Sequence, residues 1–191
     1  NGYGTYTVTA GGAWTYTLDN TNSTVTALAV SATATDSFAV TAEDGTSQTI
    51  TVTITGANDK PTVVADAVTI SESDNATTST VISVLSNDSD DEGTTLTVAS
   101  KTDGSNGTVT NNGDGTVSYT PNANFNGVDT FQYRATDGTD QSELSTVTVT
   151  VDAVNDSPDG TVTITGDAKT GQTLTASNDL TDADGMGTVS Y

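Results

Sequence analysis

An internal repeat with matched spacings is the feature that most constrains the fold of this chain. Its landmarks are Asp36-Ser37-Phe38, Asp44-Gly45-Thr46 and Asn58-Asp59-Lys60-Pro61, which return as Asp129-Thr130-Phe131, Asp137-Gly138-Thr139 and Asn155-Asp156-Ser157-Pro158. In both copies the second landmark follows the first after eight residues. Upstream, Gly4 precedes Tyr16 by twelve residues, as Gly107 precedes Tyr119. Landmarks in one order at equal spacings predict tandem copies of one domain.

The stretches between the landmarks alternate in a way that is typical of β-strands. Thr49–Thr55 and Val147–Val151 alternate Thr with Ile or Val, so each has one apolar and one hydroxylated face. An antiparallel sheet with one solvated side has this pattern. Seven strands are predicted in the second copy, at Thr62–Ile70, Thr80–Leu85, Thr95–Val98, Gly107–Thr110, Thr116–Thr120, Asp129–Thr136 and Leu144–Val151. In the first copy, Ser23–Val30 predicts one helical turn or a loop.

Seven short strands between two linkers predict an all-β fold of tandem immunoglobulin-like, antiparallel β-sandwiches. The landmarks predict three units: an incomplete sandwich at 1–59 that lacks its first strands, a complete one at 60–156, and the opening strands of a third at 157–191. The two incomplete units together are as long as one domain. One hypothesis is therefore head-to-tail self-association, in which 157–191 of one chain completes 1–59 of another. The alternative is that both ends stay unpaired.

Acidic side chains dominate the charge of the chain. Asp and Glu number 25 against four Lys and Arg, and the formal net charge is -21. This balance argues against binding to nucleic acid and to anionic lipid, because phosphates attract Lys and Arg. It also makes the compact state repel itself unless cations neutralise it. An acidic disordered segment shares this composition but lacks the strand periodicity. No run of roughly 18 apolar residues occurs, so we expect this segment not to insert into a membrane.

Side chains with catalytic chemistry are scarce. The chain contains neither His nor Cys, which excludes a His-dependent triad and a thiol nucleophile. A glycosidase needs two carboxylates that flank a cleft, whereas the acids here fall in predicted turns and linkers. We therefore expect that the chain is not an enzyme.

Alternating acids mark one loop of the second unit. Asp88, Asp90 and Glu92 stand at every second position. This spacing turns carboxylates toward one centre, and calcium takes six to eight oxygen ligands in flexible geometry. The loop therefore predicts a calcium site. The alternative is a solvated acidic turn, because Asp and Asn favour turns without a metal as well.

The aromatic side chains are in phase with the predicted strands. Phe131 and Tyr133 share one strand face, and Phe38 holds a position equivalent to that of Phe131. This phase predicts that the aromatic residues belong to the core. The set comprises Trp14, Tyr16, Phe38, Tyr119, Phe131 and Tyr133. A ligand-binding platform is the alternative interpretation.

Motifs in the first two units resemble known bacterial repeats. The first unit resembles the second half of the VCBS repeat of large bacterial surface proteins, through Tyr3–Tyr6, Gly12–Asn20, Ala27–Ala29, Asp36–Phe38 and Asp44–Gly56. The second unit resembles bacterial cadherin-like domains, through Asn87–Asp90, Asn106–Val109, Asp114–Val117, Tyr119–Pro121, Phe125–Gly127, Asp129–Phe131 and Asn155-Asp156-x-Pro158. The acidic loop departs from the family pattern at Glu92 and Thr94, where the family has Asp.

These resemblances imply an extender module of an RTX-type adhesin. Such a protein is secreted by the type I pathway, stays extracellular at the bacterial cell surface and becomes rigid in calcium. The implied fold is cadherin-like, the implied partners are neighbouring repeats of the same polypeptide, and the implied function is that of a rigid spacer. A direct adhesion module that binds carbohydrate or a partner cell is the alternative.

The two linkers resemble cadherin linkers, which implies calcium at both junctions. At the first junction the candidate ligands are Asn58 and Asp59, with Glu43 or Asp44 before them and Asp66 or Glu72 after them. At the second junction they are Asn155 and Asp156, with Asp137, Asp140 or Asp152 before them and Asp159, Asp182 or Asp184 after them. Like charges this close repel without a cation, which favours a metal. An ordinary linker that ends in Pro is the alternative.

Overall fold

The computed structural model of the protein describes residues 2–73 and 76–185. In these ranges it contains thirteen strands and one helical turn, so the all-β prediction is confirmed. The elements are β1 Gly4–Val8, β2 Trp14–Leu18, α1 Ser23–Thr26, β3 Thr33–Thr41, β4 Ser47–Thr55, β5 Asp66–Ser71, β6 Thr80–Ile82, β7 Thr97–Lys101, β8 Gly107–Asn111, β9 Val117–Pro121, β10 Gly127–Thr136, β11 Ser145–Asp152, β12 Val162–Thr165 and β13 Thr175–Asn178. Residue 1 of the predicted first unit and residues 186–191 of the predicted third unit lie outside the described residues.

The second unit is a sandwich of two sheets. One sheet has the order β5-β11-β10-β7 and the other has the order β6-β9-β8. All seven predicted strands are present, and every pair in the two sheets is antiparallel except one. The exception is β5, which runs parallel to β11 from Asp66 beside Val147 to Ser71 beside Asp152. These are the first and last strands of the unit, and they point the same way because the chain enters at one end of the sandwich and leaves at the other.

The first strand of this unit begins later than the sequence predicts. The prediction starts it at Thr62, whereas β5 starts at Asp66. Thr62 instead forms an isolated antiparallel bridge with Ser89 in the acidic loop, through backbone hydrogen bonds of 2.8 and 3.0 Å. The chain therefore contacts the acidic loop before it joins the sheet.

The core of the second unit lies between its two sheets. Alternate side chains of β9 and β11 are buried, as period-2 strands with one apolar face require. The largest fully buried apolar side chains are Val84, Val117, Tyr119, Phe131, Tyr133, Val147 and Val149. Each buried Val or aromatic side chain stabilises the fold by about 1.5–3 kcal/mol. The core prediction for the three aromatic residues of this unit is confirmed.

The first unit consists of two hairpins, β1-β2 and β3-β4. Between them α1 is a single helical turn, capped by the Asn22 side chain, which accepts from the Thr24 N–H at 3.0 Å. Phe38 is buried, but Trp14 is 46% exposed, so the prediction that Trp14 belongs to the core is wrong. The physical reason is that no strand in the described residues covers this part of β2, whereas β6 pairs with the equivalent β9.

A buried carboxylate organises each of the two repeats. Asp129 is 4% exposed and accepts from three backbone N–H groups, those of Ser105, Asn106 and Thr130, at 3.0, 2.9 and 2.9 Å. The hydroxyl of Tyr119 donates to it at 2.8 Å. Burial and this hydrogen bond raise the pKa of the Tyr119 phenol. The carboxylate therefore holds four donors in one place.

The first repeat has the same arrangement. Asp36 accepts from the Tyr16 hydroxyl at 2.8 Å and from the N–H groups of Tyr3 and Ser37 at 3.0 and 2.9 Å. Burial and then Asp36 raise the pKa of Tyr16 to about 12. A Cβ on Gly4 would lie 2.7 Å from the Tyr16 ring, so the Tyr needs a Gly beside it. The matched Gly, Tyr and Asp spacings of the sequence therefore mark this contact.

We expect Asp129→Ala to destabilise the second unit by about 3 kcal/mol or more, because four donors, one of them the buried Tyr119 hydroxyl, lose their acceptor. The matched control is Asp114→Ala, since Asp114 accepts from Thr116 in an exposed turn. Chemical denaturation followed by circular dichroism measures both variants. Equal and small losses of stability in the two variants would contradict the organising role of Asp129.

Candidate metal sites at the domain junctions

The first linker is surrounded by carboxylates of the second unit. The Asn58 side-chain amide donates to Asp137 Oδ2 at 2.8 Å, to Asp140 Oδ2 at 3.1 Å and to the Asp59 carbonyl at 2.9 Å. The Asp59 N–H donates to Glu92 Oε1 at 2.9 Å. Hydrogen bonds from the Asp140 N–H and from Asn58 lower the pKa of Asp137, which favours its charged form. Five of the candidate ligands therefore meet at this end of the sandwich.

The second linker repeats the contacts of the first. The Asn155 side-chain amide donates to the Asp156 carbonyl at 2.7 Å, and the Asp156 N–H donates to Asp184 Oδ2 at 2.7 Å. In each Asn-Asp pair, the Asn side-chain amide therefore donates to the carbonyl of the following Asp. The N–H of that Asp donates to a carboxylate of an acidic loop farther along the chain. An isolated bridge between Asp159 and Thr181 matches the one between Thr62 and Ser89 in the second unit.

A buried carboxylate approaches the second linker from the second unit. Glu72 is 7% exposed, and its Oε1 accepts from the Val154 N–H at 2.6 Å. Its own N–H donates to the Asp152 carbonyl at 2.9 Å. Glu72 was predicted at the first junction, and the structure corrects this placement. Because β5 runs parallel to β11, the end of β5 lies beside the end of β11, where the second linker begins.

Asp137 and Asp140 were predicted at the second junction, and this placement is also wrong. The two residues lie in the turn between β10 and β11, and both accept from Asn58 in the first linker. β11 has 8 residues. At about 3.3 Å per residue it spans about 26 Å, which separates this turn from the second linker.

Glu43 and Asp44 were predicted at the first junction, and this placement is wrong for the same reason. They lie in the turn between β3 and β4, where Asp44 accepts from the Thr46 N–H at 2.9 Å. β4 has 9 residues and leads from this turn toward the linker. It spans about 30 Å at the rise of an extended strand. These two acids therefore lie at the opposite end of the hairpin from Asn58.

The acids of the loop at 88–92 have different partners. Asp88 Oδ1 accepts from the Val64 N–H at 2.9 Å, and its Oδ2 accepts from the Tyr133 hydroxyl at 2.9 Å. Asp90 Oδ1 accepts from the Thr94 N–H at 3.0 Å. Within residues 2–73 and 76–185, no three acids are gathered closely enough to form a metal cluster. Asp88 contacts the core residue Tyr133, and Glu92 contacts the first linker through the Asp59 N–H.

Asp66, Asp88 and Tyr133 form a second acidic contact at this end of the unit. The Tyr133 hydroxyl lies 2.9 Å from Asp88 Oδ2, 3.3 Å from Asp66 Oδ2 and 2.7 Å from the Val84 carbonyl. It has a single proton to donate to these acceptors. Burial and then the charge of Asp88 raise the pKa of Asp66. A proton or a cation would relieve this excess of negative charge.

Two carboxylate oxygens of the acidic loop at 88–92 fit a cation. Asp90 Oδ2 and Glu92 Oε2 are buried and have no hydrogen-bond partner among the described residues. A buried charged oxygen without a partner is costly. Calcium takes carboxylate and carbonyl oxygens as ligands, and both kinds are present at this linker. The donor set therefore fits a hard divalent cation.

One loop that contributes to the second junction was not predicted from the sequence. The Asn124 N–H donates to the Ser73 carbonyl at 3.1 Å, and the Asn126 side-chain amide donates to Glu72 Oε2 at 3.4 Å. Asn124 adopts a left-handed φ of 53°, a conformation that Asn tolerates. It also lines a cleft with Asp156 and Asp182. Three Asn residues within 122–126 were the available sequence signal.

Comparison with known proteins places the second unit in context. Residues 57–152, just over half of the chain, match the cadherin-like domain family. No curated protein matches the chain. Among solved structures, the endo-fucoidan hydrolase MfFcnA4 of glycoside hydrolase family 107 is similar at 20% identity and a TM-score of 0.36, over 81% of this chain and 23% of that one. The endo-fucoidan hydrolase MfFcnA9 of the same family is similar at 19% identity and a TM-score of 0.31, over 79% of this chain and 26% of that one.

Replacing Asp66 with Asn should stabilise the metal-free protein at neutral pH. Because the folded-state pKa of Asp66 is raised, its contribution to stability is present below the unfolded pKa of about 3.9 and is lost as pH rises through the folded value. In a chelator at pH 7, Asp66→Asn should therefore melt at a higher temperature than the wild type. Near pH 3 the difference should vanish. The control, Asp91→Asn, changes an exposed acid of the loop that contains Asp88. A lower melting temperature for Asp66→Asn in chelator would contradict the assignment.

Proposed function

We propose that this chain, which belongs to the cadherin-like domain family, is a calcium-stabilised extender repeat of a bacterial surface adhesin. The observation that carries the proposal is the repeated arrangement at both linkers. Each Asn-Asp pair hydrogen-bonds a carboxylate of a later acidic loop, Glu92 in one case and Asp184 in the other. A spacer needs junctions that resist rotation, and these contacts are placed where they would do so.

The residues that would hold calcium follow from the corrected placements. At the first junction they are Asp59, Asp90, Glu92, Asp137 and Asp140. At the second junction they are Glu72, Asp152, Asp156, Asp182 and Asp184. A bound calcium ion supplies positive charge that several carboxylates can share. The protein contributes N–H donors and the two linker amides, which hold the carboxylates in position without the ion.

The two junctions differ in which unit contributes the acids. At the first linker, Glu92, Asp137 and Asp140 all follow the linker in the sequence. At the second linker, Glu72 precedes it and Asp184 follows it. An ion at the second junction would therefore connect residues on both sides and limit bending there.

Charge gives a second reason for a structural cation. The chain has a formal charge of -21 and no disulfide. Neutralisation of junction acids reduces the repulsion that opposes the compact state. Extracellular modules bind calcium with a Kd of roughly 10⁻⁴–10⁻³ M. At ten times Kd, each site would add about 1.4 kcal/mol to stability.

The surface location and the RTX-type context are part of this proposal. They are supported by the resemblance of the first unit to VCBS repeats and by the acidic composition. In this account the chain is secreted by the type I pathway, binds neighbouring repeats of the same polypeptide and performs no catalysis.

We expect calcium to raise the melting temperature of the wild type. We also expect Glu72→Gln to weaken the apparent affinity for calcium by about tenfold, which corresponds to about 1.4 kcal/mol. The substitution removes a buried charge from the second junction. The matched control is Glu43→Gln, because Glu43 lies in the turn that β4 separates from the linkers. Calorimetric melting at several calcium concentrations measures both variants. Identical melting of the wild type in calcium and in chelator would contradict the proposal.

A spacer under tension should also resist force through β5 and β11. These strands are parallel and paired over six residues, and they lie next to the two linkers, so pulling on the linkers shears all six pairs together. We expect Thr69→Pro in β5 to lower the unfolding force in single-molecule stretching, because proline breaks the ladder. Thr108→Pro in the edge strand β8 is the control, since β8 lies outside the loaded pair. Equal unfolding forces for the two variants would contradict the claim that the β5–β11 pair resists the applied force.

A further inference from the structure

An Asn-Gly pair that is open to solvent leads into β10 of the second unit. Asn126 and Gly127 are both exposed, and Gly127 is the first residue of the strand. In an Asn-Gly sequence the backbone nitrogen of Gly can attack the side-chain carbonyl of Asn, because Gly has no Cβ to hinder the approach. Asn is accordingly one of the thermolabile residues of proteins. The pair is therefore a candidate site of chemical modification.

The surroundings of the other Asn-Gly pairs differ from those of this one. Besides the pair at 1–2, whose first residue lies outside the described residues, the chain has two more. In the first of them Gly107 is buried, and a Cβ built on it would lie 2.4 Å from the Tyr119 ring. The Asn106 N–H donates to Asp129 Oδ2 at 2.9 Å, and the Asn106 carbonyl accepts from the Asn122 N–H at 2.8 Å. Packing and hydrogen bonds therefore fix the backbone of this pair.

The other pair, Asn112-Gly113, is exposed but held by hydrogen bonds. The Gly113 N–H donates to Asn111 Oδ1 at 2.9 Å. The Asn112 side chain donates to Thr116 Oγ1 at 2.8 Å and accepts from the Ser118 hydroxyl at 3.0 Å. Because the attack needs a free Gly nitrogen and an Asn side chain that turns toward it, these hydrogen bonds must break first.

The pair at 126–127 is restrained much less. In the part of the chain that the structure describes, the Asn126 side chain makes one hydrogen bond, from its amide to Glu72 Oε2 at 3.4 Å. Gly127 and Val151 form the terminal pair of the β10–β11 ladder. Terminal pairs open at a lower free energy than central ones. Opening of this single pair exposes the Gly127 nitrogen to the Asn126 side chain.

We propose that Asn126 is a site of spontaneous deamidation, which converts it to aspartate or isoaspartate and places a new carboxylate beside Glu72. The Gly127 nitrogen loses its proton and bonds to Asn126 Cγ, and the side-chain nitrogen leaves as ammonia. Water then opens the resulting succinimide ring at either carbonyl. The steps need no oxidant, enzyme or metal. Either product carries one more negative charge than the amide.

The new charge changes the second junction. Glu72 is 7% exposed, and its Oε1 accepts from the Val154 N–H at 2.6 Å. Deamidation replaces the amide that donates to Glu72 Oε2 with a carboxylate, and two like charges side by side repel. With calcium bound, the same carboxylate supplies a further oxygen ligand, and calcium affinity depends on the number of charged ligands. This effect on calcium rests on the proposed function, whereas the deamidation itself does not.

Mass spectrometry of the aged full chain tests the modification. The chain is incubated in chelator at mildly alkaline pH, digested with pepsin and compared with a chain aged in denaturant. We expect position 126 of the folded chain to convert faster than positions 106 and 112 by about tenfold or more, because its ladder pair opens most easily. In denaturant the three positions should convert at similar rates. Conversion of the folded chain at 106 or 112 ahead of 126 would overturn the proposal.

The variant Asn126→Asp tests the effect on the junction, with Asn126→Gln as the matched control that keeps the amide. We expect Asn126→Asp to melt below the wild type in chelator and to lower the apparent Kd for calcium by about tenfold. Asn126→Gln should match the wild type in both measurements. If calcium stabilises the wild type but binds Asn126→Asp no more tightly, the inferred effect on the junction is wrong. If calcium does not stabilise the wild type, the proposed function and this effect both fail, and the mass spectra decide the deamidation alone.

Discussion

Crowding of carboxylates at the two ends of the central sandwich is the constraint on which the rest of the structure depends. Strand directions bring Asp137 and Asp140 to the first linker and Glu72 to the second. The chain offsets part of the repulsion with backbone N–H groups and with the two linker amides. At the first end, Asp90 Oδ2 and Glu92 Oε2 are still buried without a partner among the described residues. These two oxygens are where the proposed cation would bind.

A different carboxylate works in the opposite way within each repeat. Asp129 and Asp36 are buried, but each accepts several donors, including a Tyr hydroxyl. Such a carboxylate stabilises the fold without a metal, because its charge is shared among hydrogen bonds. The acids of this protein therefore form two groups, which differ in how many hydrogen-bond donors surround each carboxylate. The organising acids Asp36 and Asp129 lie within strands β3 and β10, whereas the junction acids lie at the ends of strands or in the loops and linkers beyond them.

The strands of the second unit and its buried aromatic residues could be predicted from the sequence, because period-2 alternation records which face is buried. Which acids lie at which junction could not be predicted from the sequence. Spacing along the chain does not show that β5 runs parallel to β11, and this pairing is what carries Glu72 to the second linker. Trp14 was misplaced for a related reason, since periodicity gives a strand face without showing whether another strand covers it.

A crystal structure of the protein grown in calcium, with the cations located by anomalous scattering, tests the central claim most directly. The account predicts calcium at both junctions, in contact with Asp90 and Glu92 at the first and with Glu72 and Asp184 at the second. Junctions without a cation in saturating calcium, with these carboxylates hydrogen-bonded to the protein or to water alone, would contradict it.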